Sequence, residues 1–153
     1  MILLETYKNI GYNTYALKKI VENGDFMAKI QGFLRVKNNG AEEVIQVRGV
    51  KLENRWIVYD SDSAKYSFDY SEADLKYSKV SSEALDIVFD LKKTTKANYW
   101  ILQQQMQFSV KTDVLRVEDQ NIFVSYHLYQ DGARLNTIEF SLICDALKED
   151  LND

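Results

Sequence analysis

Along most of the chain, apolar and polar residues alternate with a period of two, the pattern of a strand with one buried face. The alternation begins at Phe26. Phe26, Ala28, Ile30 and Gly32 interleave with Met27, Lys29 and Gln31, and Leu34 and Val36 follow between Arg35 and Lys37. Asn38-Asn39-Gly40 is a turn built from residues that tolerate positive φ. Val44 to Leu52 reads as a second strand, Glu53-Asn54 as a turn and Arg55 to Asp60 as a third strand, which makes a meander. Further along, Lys65 to Tyr70 reads as a short strand, and Leu85, Ile87, Phe89 and Leu91 set a strand over 85–92. Tyr99 to Val110 reads as one strong strand interrupted by Gln103-Gln104-Gln105, with Val114, Leu115 and Val117 as a short partner. Ile122 to Leu128 and Asn136 to Cys144 form the clearest pair.

Helical signals are few. Residues 1–25 read either as a short helix over Tyr15–Glu22, capped by Asn13-Thr14 and ended at Asn23-Gly24-Asp25, or as an extended strand. Ser71 with Asp74 resembles a capping box in which Asp replaces the preferred Glu. The acidic tail, 145–153, reads as a terminal helix turn. Eight or so short strands, with no strand–helix alternation, predict an antiparallel β-sandwich or Greek-key barrel with one or two short helices. The 153 residues form a single domain, 1–153, long enough to bury a sizeable core without staples.

Composition changes this picture in two places. Aromatics make up 12% of the chain, with ten Tyr against two Trp, and Tyr suits half-buried sheet surfaces. Proline is absent and Gly numbers six, so most turns must come from Asn, Asp and Ser. A single cysteine, Cys144, excludes an internal disulfide and fits a reducing compartment. A net charge of -4 argues against a general nucleic-acid binder. No apolar run reaches the length of a membrane span, so no membrane partner is expected, and Met1-Ile2-Leu3-Leu4-Glu5 carries no basic n-region of a signal peptide.

Candidate chemistry is sparse. His127 is the only histidine. It alternates out of phase with Ile122, Val124, Tyr126 and Leu128, so it points away from the main apolar face, and it has no histidine partner for a metal. Cys144 is in phase with Ile138, Phe140 and Leu142 and reads as a small core residue. Asp60-Ser61-Asp62 opens like a calcium loop, but Ala64, Lys65 and Ser71 stand where a ligand, a glycine and the closing glutamate are required. A looser oxygen site would use Asp60, Asp62, Asp69 and Asp74. No two glycines lie closer than eight positions apart, which leaves no phosphate loop, and no nucleophile elbow is found. The expectation is a non-enzymatic chain without metal or cofactor. Tyr59, Tyr66, Phe68, Tyr70 and Tyr77 cluster with Lys65, Lys76 and Lys79, and are the candidate interaction surface, because Tyr-rich segments make good contacts.

Two stretches carry a family resemblance: Ile20 to Val36, IVENGDFMAKIQGFLRV, and Tyr126 to Ile143, YHLYQDGARLNTIEFSLI. They resemble, respectively, the early turn-and-strand and the closing hairpin of the N-terminal domain of phage baseplate upper proteins. Residues 53–100 depart from that family, having no central Asp-Gly turn. The resemblance implies a β-sandwich that docks other protein subunits as a homo- or hetero-oligomer of a phage tail or baseplate, in the virion tail or the host cytoplasm. An intracellular binding protein, such as an immunity protein or toxin inhibitor with an acidic surface, is the alternative.

Two local expectations are sharp. Phe140 is in the core and Glu139 is on the surface. At the closing hairpin, a two-residue Asp131-Gly132 turn would pair Gln130 with Ala133 and set Ser125 against Ile138, opposing apolar to polar positions. A three-residue loop, Gln130-Asp131-Gly132, is expected instead, with Val124 opposite Ile138 and Ile122 opposite Phe140.

Overall fold

The computed structural model describes residues 28–146. Ten strands succeed one another: β1 (Ala28–Asn38), β2 (Ala41–Lys51), β3 (Arg55–Tyr59), β4 (Lys65–Tyr70), β5 (Leu75–Val80), β6 (Ala84–Phe89), β7 (Thr95–Ile101), β8 (Gln104–Glu118), β9 (Asn121–Gln130) and β10 (Ala133–Ala146). Each pairs antiparallel with the next, and β1 pairs with β10 to close a barrel. The fold is mainly β and antiparallel, as the alternation predicts. It is neither a sandwich nor a Greek key, because every neighbour in the wall except the closing pair is a neighbour in sequence. Among the described residues there is no helix. Residues 1–25, read as either a short helix or a strand, lie outside the described residues, and so does most of the tail read as a helix turn.

Alternation fixes what fills the lumen. Ile30, Leu34, Val47, Trp56, Val58, Phe68, Leu75, Ile87, Phe89, Val124, Phe140 and Leu142 all point inward into one core. Phe140 is at its centre, with ring centroids 5.2 Å from Tyr77, 5.6 Å from Phe89 and 5.9 Å from Phe68. The seam between β1 and β10 runs from Ile30↔Ala146 to Asn38↔Ile138. At its upper end, Asn136 Nδ2 donates to Asn38 Oδ1 at 2.7 Å and the Thr137 amide donates to Asn39 Oδ1 at 2.8 Å, tying the β1–β2 turn to β10. Elsewhere the wall closes up tightly at two glycines. A Cβ at Gly32 would sit 1.9 Å from the Ile143 carbonyl oxygen, and one at Gly49 would sit 1.8 Å from that of Ile57.

Three expectations need correction. The stretch 99–110 is two strands: the chain reverses at Leu102-Gln103, with φ of 52° and 66°. Neither residue is a turn former, so the sequence shows no break there. Ser71 and Asp74 close a turn between β4 and β5 rather than cap a helix; Ser71 Oγ accepts from the Asp74 amide at 3.3 Å. The closing hairpin uses the two-residue turn after all. Gln130 pairs with Ala133, and Asp131 and Gly132 have φ of 52° and 80°. The mismatch is repaired further along β10, where Leu135 is the extra residue of a bulge between Arg134 and Asn136. Beyond it the apolar faces match, with Ile138 opposite Tyr126 and Phe140 opposite Val124.

Candidate functional site: a tyrosine-lined chamber in the barrel

The five upper turns, at 39–40, 60–64, 81–83, 102–103 and 131–132, surround one end of the lumen; the other turns and both described chain ends surround the other. Beneath the upper turns lies a chamber of about 190 Å³. Its aliphatic lining includes Leu34, Val36, Ile45, Leu85 and Ile138, and Phe140 forms its floor. Into this space, which Asn38, Glu43 and Lys79 also line, the inward phase of four strands brings Tyr66 (β4), Tyr77 (β5), Tyr99 (β7) and Tyr126 (β9).

The four hydroxyls differ in their partners. Tyr66 donates to Asp60 Oδ2 at 2.8 Å. Asp60 Oδ1 in turn accepts from the amides of Asp62 and Ala64, at 2.8 and 3.1 Å, so this carboxylate is spent on its own turn. The hydroxyls of Tyr77, Tyr99 and Tyr126 make no hydrogen bond among the described residues. Tyr126 and Tyr77 are only 4% and 9% exposed, so little of either side chain reaches bulk water. Burial pushes the ionisation of all three phenols above the ordinary range. Tyr99 opposes ionisation of both Tyr77 and Tyr126, which places the three groups within electrostatic reach of one another. They are therefore neutral donors at any ordinary pH. At the mouth stand one acid and one base, Glu43 and Lys79. The Lys79 ammonium lies 5.6 Å from the centre of the Tyr66 ring.

A larger cavity of about 660 Å³ opens at the lower end, where Ala28 and Ala146 line it together with Lys51, Trp56, Tyr70 and Cys144. Lys51 Nζ is committed there, donating to the Asp119 carbonyl at 2.7 Å. Burial, reinforced by Asp145, pushes the Cys144 thiol up to about 12, which leaves it protonated and inert as a nucleophile.

The expected interaction surface is not a surface. Tyr66, Phe68 and Tyr77 share the inward phase and are buried in the lumen; Tyr70 faces the lower cavity, its hydroxyl donating to the Glu53 carbonyl at 3.0 Å; Tyr59 is buried on the opposite face of β3 from Val58. Lys65 and Lys76 flanking them in sequence made the segment look exposed, but the pleat sends Tyr66 and Phe68 to the opposite side of the wall from Lys65, and Tyr77 to the opposite side from Lys76. The four aspartates do not converge either: Asp60 binds its own turn, Asp69 pairs with Arg55 at 3.2 Å, and Asp74 closes the β4–β5 turn with Ser71. Among the described residues no cluster of acid, His and Cys side chains could hold a metal.

His127 points outward, as its phase predicts. The bulge between Thr112 and Val114 makes Asp113 an extra residue of β8 and brings it to His127 Nε2 at 2.5 Å, while Nδ1 meets Thr137 Oγ1 at 2.9 Å. The trio resembles a hydrolytic triad in composition only, since it lies on the outer wall and lines none of the cavities. It bridges three adjacent strands. Of the chamber residues, Tyr99, Tyr126 and Glu43 escaped sequence reasoning as site residues. The available signal was a residue with a polar tip on the inward phase, as with Tyr126 between Val124 and Leu128.

Fold and chamber together define an up-and-down antiparallel β-barrel with a partly filled lumen. No protein-family model matches the chain, and no curated protein matches it. Among solved structures it is similar to the ywiB protein from Bacillus subtilis, with a TM-score of 0.55 and 12% identity, covering 82% of this chain and 99% of that one. At that identity the likeness shows the fold alone.

Proposed function

We propose that the protein is a non-enzymatic binding barrel that holds a small molecule in its upper chamber. The observation that carries this reading is the group of three inward-facing phenols, Tyr77, Tyr99 and Tyr126, which line one cavity with no hydrogen-bond partner among the described residues. A domain made only to be stable would fill this space with close-packed aliphatic side chains rather than leave an open lumen edged with hydroxyls. Ligand-observed NMR of the full chain against a library of small apolar molecules tests it, with Leu85→Trp as the blocked chamber. Saturable binding that disappears in the folded Leu85→Trp variant is expected. Binding indifferent to that substitution would remove the proposal.

A second reading, a subunit of a larger assembly such as a phage tail, is favoured by one feature of the outer wall. Phe33 and Ile143 are directly opposed across the β1–β10 seam and are 51% and 46% exposed. Paired apolar side chains in water suit a protein contact. Light scattering on the wild type and on Phe33→Glu tests it: an oligomer that the substitution dissociates is expected, and a wild type that is monomeric at every concentration tested rules it out.

A further inference from the structure

We infer that the outer face of the β1–β10 seam docks a second copy of this chain, about a two-fold axis parallel to the two strands. The inference rests on the assembly reading above and names the partner and its orientation.

The outer side of the seam is sorted by charge. On β1 the outward positions are Lys29, Gln31, Phe33, Arg35 and Lys37, with no acid among them. On β10 the outward positions beyond the bulge are Glu139, Ser141, Ile143 and Asp145, with no base. Phe33 and Ile143 share the rung between these charges, and about half of each side chain is exposed. Within the chain the sorting is only partly used. Arg35 pairs with Glu42 at 3.2 Å, whereas Lys37 and Glu139, though directly opposed, make no ion pair among the described residues.

A strand pair with bases on one member and acids on the other complements a copy of itself, which is what an isologous interface requires. An unrelated partner would need the reverse sorting on its own surface; a second copy carries it already. Symmetry then chooses between two orientations. A two-fold axis across the strands, through the Phe33 rung, sets β1 on β1 and brings Lys37 against the copy's Lys29, like on like. An axis along the strands sets β1 on the copy's β10 and keeps every rung level. Phe33 of each chain then meets Ile143 of the other, and Lys37 meets Glu139, each contact made twice. Four apolar side chains leave water at the centre, and two ion pairs close one end. The barrel wall is convex, so the contact is narrow and the dimer depends on concentration.

Sedimentation velocity of the full chain over a concentration series at pH 7 tests this. Wild type should self-associate. Lys37→Glu and Glu139→Lys each set like charges together at both contacts, and each should weaken association at least about tenfold. Mixed in equal amounts, the two variants should associate with each other, because each then supplies the charge the other lacks. No role of the rung within one chain produces that rescue. Should either variant lose its sheet signal in circular dichroism, the Lys37→Glu/Glu139→Lys double variant decides: it should self-associate like wild type and refuse wild type as a partner. If Phe33→Glu dissociates the wild-type oligomer but mixing restores nothing, or the double variant accepts wild type, the arrangement is wrong while the assembly reading stands. If Phe33→Glu leaves the oligomer intact, the seam is not the interface and the inference falls. A wild type monomeric throughout removes both.

Discussion

Phe140 sits where the aromatic side chains of four other strands meet, with Phe68, Tyr77, Phe89 and Tyr126 all within 6.4 Å between ring centroids. It is both the centre of the core and the floor of the chamber. Replacing it with Ala should cost about 3–5 kcal/mol, while Glu139→Ala on the opposite side of β10 should stay within about 0.5 kcal/mol. Urea melts of the two variants check this, and equal shifts would contradict the assignment of faces. At this scale the sequence is a good guide, because one strand's alternation decides whether a residue points in or out. It misleads for Tyr66 and Tyr77 only in what the inside is taken to be. A run of Tyr among Lys and Ser reads as a wet surface, whereas the pleat of β4 and β5 sends the rings inward and Lys65 and Lys76 outward or to the margin.

Two bulges govern the long strands. Asp113 in β8 and Leu135 in β10 each add a residue and switch the phase of the positions beyond it. Deleting Leu135 tests the second: with the Asp131-Gly132 turn retained, Ile138, Phe140 and Leu142 would move to the outer face. The deletion should abolish cooperative folding, whereas Gly132→Ala, at a φ of 80°, should cost only about 1 kcal/mol. A folded deletion variant with native-like melting would show that the turn, not the bulge, sets the register. Elements are legible wherever Gly, Asn or Asp marks a reversal, as at Asn39-Gly40. They are not legible at Leu102-Gln103, where two residues with long side chains adopt positive φ and Leu102 is 90% exposed. The bulge at Leu135 is equally hidden, since face matching alone cannot say whether an extra residue sits in the turn or further along the strand. Strand order is hidden too: a run of hairpins fits an open sheet, a Greek key or a barrel, and only the β1–β10 pairing, across the whole chain, chooses.

For the whole molecule, the buried proton carriers dictate a response to alkali. Tyr66, Tyr77, Tyr99 and Tyr126 are raised above 10.0 mainly by burial, and Cys144 from 9.0 to about 12. Between the unfolded and folded values the unfolded chain binds fewer protons than the native one, so stability falls as pH rises. These groups have no such effect below pH about 9. Above it Cys144 should remove about 1.4 kcal/mol per pH unit up to about 12, and the tyrosines should join from about 10. Urea melts between pH 8 and 11 should show the decline, and Cys144→Ala should delay its onset by about one unit. Unchanged stability through pH 11 would mean that these groups are not shielded.

The seam between β1 and β10 has a consequence for how the protein comes into being. A ribosome delivers the strands in order, and each can zip onto its predecessor as it emerges. The last pairing joins residues as far apart in the chain as Ile30 and Ala146, so the first strand waits with one edge bare until the tenth has been made. Its outer side carries Lys29, Gln31 and Arg35, which suit that wait by discouraging edge-to-edge association of nascent chains, whereas Phe33 between them does not. Until β10 arrives the chamber lacks the wall that carries Ile138 and Phe140.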